Sequence, residues 1–345
     1  MLLRTLTSLA GFPLAALALA SWAVAAEGPG KPLLKVGIIG LDTSHCVAFT
    51  TAIQGPKPNP QLASLRVVAA FPGGSPDIPA SADRVAGFTD KIKGLGVEIV
   101  DSITALLSKV DVVLIEAVDG RPHLEQARQV IAAGKPMFID KPLAGSLADG
   151  IEIYRLARAA GVPCFSSSAL RFSPGVAEMR SRPEYGDVLG CSTYSPCTLD
   201  PHHPDLFWYG IHGVETLYTI MGTGCKTVTR VHTADTDLVV GVWADGRIGT
   251  FRGLRSGKVG FGGTVFGTKG LGPIGSFAGY EPLLVEIARF FETGKPPVSP
   301  EETLEILAFM EAADESKRQN GAAVSIETVI KQAEAANQAR VGPIQ

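Results

Sequence analysis

Lys35-Val36-Gly37-Ile38-Ile39-Gly40-Leu41-Asp42-Thr43-Ser44-His45 is the stretch from which the fold is read. A short apolar, β-branched run stops at a glycine and is followed by small hydrogen-bonding residues, the pattern of a buried strand turning into a helix. The same alternation continues to Ser166. Strand-like runs stand at 65–70 (LRVVAA), 97–100 (VEIV), 112–117 (VVLIEA), 136–140 (PMFID) and 162–166 (VPCFS). Helical stretches lie between them. In PHLEQARQVIAAG, Leu124, Ala127, Val130 and Ile131 share one face and Gly134 ends the helix. Strands that alternate with helices build a parallel, doubly wound sheet. Residues 33–165 therefore read as an α/β, Rossmann-like domain.

Beyond about residue 185 the character changes. TVTRVHT (227–233), DLVVGVWA (237–244), RIGTFRGL (247–254) and KVGFGGTVFG (258–267) are consecutive strand-like runs, and Asp245-Gly246 is a hairpin signal between two of them. Helices are expected at 281–293, 302–318 and 325–337. Residues 166–340 read as a second, α+β domain with a mainly antiparallel sheet. The length of 345 residues agrees with about two domains. The 46% hydrophobic content against 19% charged gives enough apolar material for a sizeable core. Lysine and arginine total 31 against 34 acidic residues, a net charge of -3, which excludes a nucleic-acid binder held by charge.

Residues 1–26 differ from the rest: Arg4, then an apolar run, then a small-residue end at Ala25 and Ala26. That is the layout of a cleavable secretory signal, so the protein is expected to be exported, periplasmic or secreted, with no membrane association after cleavage. None of the five cysteines forms a metal-finger spacing. Cys191 and Cys197 are the pair an oxidising compartment would bridge, and buried free thiols are the preferred reading.

A glycine-rich dinucleotide turn would place glycines at 40, 42 and 45, for a tight turn, close approach to a pyrophosphate and close helix packing. Only Gly40 is present. A carboxylate at 42, about 5 Å from one phosphate charge at an effective dielectric near 20, costs about 3 kcal/mol. Asp42 reads as a helix N-cap, with cofactor contact as the other role, while Thr43 and Ser44 offer hydroxyls and N–H groups to a phosphate. The second strand runs into Phe71-Pro72-Gly73-Gly74-Ser75, with no carboxylate for a ribose.

Several motifs carry a resemblance. Asp140-Lys141-Pro142 follows the fifth strand-like run. Further on come Leu170-Arg171-Phe172-Ser173-Pro174, Gly210-Ile211-His212, Gly267-Thr268-Lys269-Gly270 and a closing Thr293-Gly294-Lys295-Pro296. In order and spacing the chain resembles, over about residues 34–320, the glucose–fructose oxidoreductase, inositol dehydrogenase and MocA (Gfo/Idh/MocA) family. That resemblance implies NAD or NADP in the first domain and a sugar-like polyol, or its keto form, at the junction. Lys141 and His212 match the family's acid/base residues, and Gly40, Asp42, Thr43, Ser44, Asp140 and Lys141 fall where the cofactor is held. It also implies pairing of copies into a homo-oligomer through the open sheet of the second domain.

Trp208 stands where the family usually has an aspartate, four residues before His212. Glu215, one helical turn on, is the replacement partner expected if that segment is helical. The loop Asp200-Pro201-His202-His203-Pro204-Asp205-Leu206-Phe207-Trp208-Tyr209 suits a carbohydrate: aromatic faces meet sugar C–H surfaces and polar groups meet hydroxyls. His203, Trp208 and Tyr209 are the substrate-contact candidates there. Arg171 is another, with a salt bridge across the domain junction as its alternative. No metal site is expected, since the histidines of the loop lack a fixed ligand spacing. The expected activity is an NAD(P)-dependent dehydrogenase of a sugar or sugar derivative. The alternative on the same fold is an exported, cofactor-degenerate carbohydrate-binding protein or a non-redox lyase or hydratase.

Overall fold

The computed structural model describes residues 33–341, so residues 1–26, where a secretory signal is expected, lie outside the described residues. The described chain is one compact unit containing two sheets. The first has six parallel strands: β1 (Leu34–Ile39), β2 (Leu65–Phe71), β3 (Glu98–Ile99), β4 (Val112–Ile115), β5 (Met137–Asp140) and β6 (Cys164–Ser167). Their order is β3-β2-β1-β4-β5-β6. The crossovers are α1 (Ser44–Gln54), α2 (Pro79–Gly94), α3 (Ile103–Leu107), α4 (His123–Ala132) and α5 (Leu147–Ala160). Val36, Ile38, Ile39, Ile115 and Phe138 are fully buried because helices cover both faces of this sheet. The strand order reverses between β1 and β4, which opens a crevice beyond the carboxyl ends of those strands.

The second sheet has seven strands: β7 (Val188–Pro196), β8 (Cys225–His232), β9 (Thr236–Trp243), β10 (Ile248–Leu254), β11 (Gly262–Gly267), β12 (Leu271–Ile274) and β13 (Val324–Ser325). The order is β12-β11-β7-β10-β9-β8-β13, and all pairings are antiparallel except β10 with β7. Sequence pattern alone gives no hint of β7. Its buried positions are the small residues Gly190, Cys191, Thr193 and Ser195, and α7 (Ile211–Met221) packs closely on it; a Cβ at Gly213 would lie 2.9 Å from Ser195 Oγ and 2.3 Å from the Phe251 ring. α9 (Pro300–Arg318) covers the rest of that face, and α10 (Ile326–Val341) packs beside it. The other face is open and shows Tyr194, Val231, Val242, Ile248, Phe266 and Leu271 to solvent.

The two sheets share structure. α8 (Glu281–Thr293) comes from the C-terminal half of the sequence, yet Leu283, Leu284, Ile287 and Phe290 are buried with Ile38, Phe138 and Phe165 of the first sheet. The topology requires such a cover: α4 and α5 cross on one face of β4–β6, so the opposite face has no crossover helix of its own. A short helix, α6 (Asp205–Trp208), is anchored by the buried Arg230, which donates to Asp205, Asp237 and Asp314 at 2.6–2.9 Å. All five cysteines are buried free thiols, Cys191 and Cys197 included. Among the described residues no helix is long and apolar enough to cross a membrane.

Candidate active site

At the end of β1 the chain turns at Gly40 with φ +95°, and a Cβ there would lie 2.4 Å from the backbone nitrogen of Ala117. Only glycine allows this approach. Thr43, not Asp42, caps α1: its hydroxyl accepts the His45 N–H at 3.0 Å. This corrects the N-cap reading of Asp42. The Asp42 side chain turns inward and is fully buried, accepting from the Ser81 hydroxyl at 2.6 Å and from the Val118 N–H at 3.0 Å. It therefore has no surface left for a cofactor contact either. Burial pushes its carboxyl above the usual range, while the Ser81 and Val118 bonds pull the other way. Ser44 is exposed on the first turn of α1.

β5 delivers Asp140 and Lys141 to the crevice, both buried. The Lys141 ammonium lies 6.0 Å from the centre of the Tyr209 ring, and Tyr209 meets the His212 ring edge-on at 4.9 Å. His212 sits in the first turn of α7, with Nδ1 2.8 Å from the Ser168 hydroxyl. Burial, and then the positive charge of Lys141, push its imidazole well below the ordinary histidine range, so it is neutral at physiological pH. Lys141 and His212, distant in sequence, thus flank one Tyr209 ring. The adjoining cavity holds about 120 Å³ and is lined by His45, Ser168, Tyr209, His212, Phe261, Phe277 and Tyr280, with Lys141 behind the Tyr209 ring rather than in the wall. A larger cavity of about 850 Å³ lies between α5, α9 and α10, away from the strand ends and from Lys141.

Other expectations are corrected. The segment after Gly210 is helical, yet Glu215 does not pair with His212. Its carboxylate accepts from Ser167 Oγ at 2.5 Å, Ser168 N–H at 2.7 Å and Arg171 Nε at 2.8 Å. It acts on His212 only through Ser168, whose backbone it fixes. Arg171 is buried and paired with Glu215 and Glu302, both of the second half of the chain, so it forms a salt bridge within that half rather than across the domain junction. His203 is likewise turned inward, 2.8 Å from Asp119, with its ring 5.0 Å from that of the half-buried Trp208. Asp119 also accepts from Ser75 and Arg121, and Arg121 binds Asp77, so the loops after β2 and β4 are tied to the 200–208 loop. Burial opposes the charge on Asp119, but His203, Arg121 and Ser75 hold its pKa far below the usual carboxylate value. Of the loop's three substrate candidates, Tyr209 alone lines the cavity.

The structure adds residues that motif reading passed over. Glu116, directly after β4, is fully buried beside Asp140 and His45, and His45 Nδ1 is 2.7 Å from Asp140 Oδ2. The available signal was an acid closing an otherwise apolar run, VVLIEA. Phe261, Phe277, Tyr280 and Ser168 carry no local signal and reach the cavity through the fold. Toward a nicotinamide dinucleotide, the Gly40 turn, Ser44 on the first turn of α1 and the Lys141 ammonium fit the group. Asp42, an anion already bound to the Val118 N–H, is a mismatch, as are His45 in place of a glycine and the lack of a carboxylate at the end of β2.

Residues 34–168 match the family model described as "Oxidoreductase family, NAD-binding Rossmann fold". Curated proteins give no match in sequence. Similar solved structures include scyllo-inositol dehydrogenase from Lactobacillus casei with bound NAD(H) and scyllo-inositol, at 15% identity and TM-score 0.70, covering 86% of this chain and 99% of that one. GenD2 from gentamicin A biosynthesis in complex with NAD aligns at 17% identity and TM-score 0.69, over 87% and 98%. An oxidoreductase from Agrobacterium radiobacter, in complex with NAD+, L-tartaric acid and magnesium, aligns at 16% and 0.67, over 86% and 99%. At these identities the likeness is one of fold.

Proposed function

From the membership of residues 34–168 in the Gfo/Idh/MocA oxidoreductase family, whose Rossmann fold binds NAD, we propose that this protein is an NAD(P)-dependent dehydrogenase of a sugar or sugar derivative. The observation that carries the reading is an aromatic-lined cavity at the carboxyl end of the parallel sheet that His212 lines, with the Lys141 ammonium 6.0 Å from the centre of the Tyr209 ring in its wall. Tyr209, Phe261 and Phe277 offer faces to the C–H surface of a polyol, while the ammonium and the imidazole meet its hydroxyls. Neutral His212 accepts the proton of the hydroxyl being oxidised, and Lys141 holds that oxygen and stabilises its developing negative charge. Ser168 holds the His212 ring, and Glu215 holds Ser168. The Gly40 turn, Thr43 and Ser44 at the start of α1, and Lys141 would hold the cofactor, whose nicotinamide supplies the hydride acceptor when bound.

Calorimetry of the purified protein with NAD and NADP, followed by incubation with inositols and hexoses, tests the reading. Micromolar cofactor affinity and substrate-dependent nicotinamide reduction are expected. A second reading, a non-redox lyase, hydratase or carbohydrate-binding protein on the same fold, is favoured by one observation, the Asp42 carboxylate on the Val118 N–H. Sugar binding without measurable NAD(P) binding would select it. The proposal extends to the rest of the molecule: export directed by residues 1–26, tested by the N-terminal mass of the native protein, and a homo-oligomer formed through the open face of the second sheet.

A further inference from the structure

A second cluster lies at the floor of the same crevice and takes no part in the acid–base scheme. Ligand atoms of His45, Glu116 and Asp140 lie within 4.8 Å of one another. They come from the first turn of α1, the residue after β4 and the last residue of β5, so three rigid elements at the switch point present them together. Glu116 is fully buried and neither of its carboxylate oxygens has a hydrogen-bond partner; Asp140 Oδ1 is buried and unpartnered as well. Unpaired buried carboxylate oxygens are costly, and native structures compensate them with a proton or a cation. The nearby groups do so only in part: His45 meets Asp140 Oδ2 at 2.7 Å and the Lys141 charge acts on both carboxylates, yet neither Glu116 oxygen nor Asp140 Oδ1 receives a hydrogen bond.

We propose that His45, Glu116 and Asp140 bind one divalent transition-metal ion of the zinc or manganese class. One imidazole nitrogen with two carboxylates is a donor set suited to such ions, and three protein ligands leave a position for water or a substrate oxygen. Around an ion with bonds of about 2.0–2.2 Å, ligand atoms lie about 3–4.4 Å apart. Ligand atoms that lie within 4.8 Å of one another would have to close to about 3.4 Å around a tetrahedral ion, a movement of up to about 1.4 Å to which the Glu116 side chain, held by no hydrogen bond, can contribute. His45 also lines the cavity beside Tyr209 and His212, so the ion would polarise a hydroxyl or carbonyl of a molecule held there. The site does not depend on the nicotinamide reading.

The test uses purified protein dialysed against a chelator. Zinc and manganese chlorides are titrated in calorimetrically, and cobalt(II) is added for its visible absorbance. One ion per chain is expected at micromolar or tighter affinity, with cobalt bands characteristic of nitrogen–oxygen coordination. Glu116→Gln and His45→Ala should each weaken binding by at least about 100-fold, since even outer-shell partners cost about 10–100-fold. Both variants should abolish the cobalt bands, with far-ultraviolet circular dichroism unchanged. Should Glu116→Gln fail to fold, the half-buried His45 carries the test. Absence of stoichiometric binding, or binding that survives His45→Ala, overturns the proposal. A protein that binds NAD but no ion refutes this site alone, and one that binds the ion but no NAD(P) refutes the dehydrogenase reading alone.

Discussion

Replacing Asp42 by asparagine gives the sharpest measure of how this chain meets a dinucleotide. Asparagine has the shape of aspartate, still accepts from the Val118 N–H and still bonds Ser81, so the turn is retained while its charge is lost. The two bonds change from charge-assisted to neutral, but the burial cost of the charge, which outweighs those bonds in the raised Asp42 pKa, is relieved as well, so folding stability should not fall by more than about 1 kcal/mol. Against that, a pyrophosphate oxygen about 5 Å from position 42 no longer meets an anion, a gain of about 3 kcal/mol at an effective dielectric near 20, or about two decades in affinity. The pH dependence follows from the raised Asp42 pKa. Protonation removes the repelling charge, so wild-type affinity for NAD should rise as pH falls through the Asp42 titration, and the Asp42→Asn variant should show no such rise. Calorimetric titration with NAD and NADP over a pH series reads both effects, with thermal unfolding as the control for stability. Equal affinity in the two proteins, or weaker binding by the variant, would refute the argument that Asp42 opposes the cofactor.

Three further outcomes are expected. Lys141→Met should move the His212 titration upward toward the ordinary histidine range, because the repulsion of the ammonium is removed while burial remains; imidazole NMR reads this, and an unmoved resonance would mean the two groups do not sense each other. Gly213→Ala should destabilise the fold by about 2–3 kcal/mol in urea unfolding, since its methyl would lie 2.3 Å from the Phe251 ring in a packed core; a change under about 0.5 kcal/mol would contradict that packing. Glutamates at the facing positions Val242 and Ile248 should convert an oligomer to monomers without loss of secondary structure. Light scattering after gel filtration decides it, and an unchanged mass would reject the sheet face as the interface.

Much of the architecture could be read along the chain because local pattern and tertiary role agree there. β1, β2, β4 and β5 are mainly apolar runs buried along most or all of their length, and α8 spans the expected 281–293 because its apolar stripe and Gly294 terminator are local features. β7 escaped because small residues fill its buried face, and their size answers to a helix that lies later in the chain. At the site, Lys141 and His212 were legible through their motifs. Arg171 and His203 carried the right chemistry for substrate contact and are spent on Glu215, Glu302 and Asp119. No spacing rule distinguishes a polar side chain that faces a ligand from one that neutralises a buried neighbour.

The order of strands and helices, the doubly wound first half and the position of Lys141 at a strand end were set by hydrophobic period and turn chemistry, which act over a few residues and are written in the chain. The inward turn of Asp42, the relay of Glu215 through Ser168 and the meeting of His45, Glu116 and Asp140 were decided only in three dimensions. Each depends on which charge is left unpaired once 45, 116 and 140, or 168, 171 and 215, are brought within a few ångströms by packing. Coulomb and desolvation energies vary with distance and burial, and neither quantity exists until the sheets have closed.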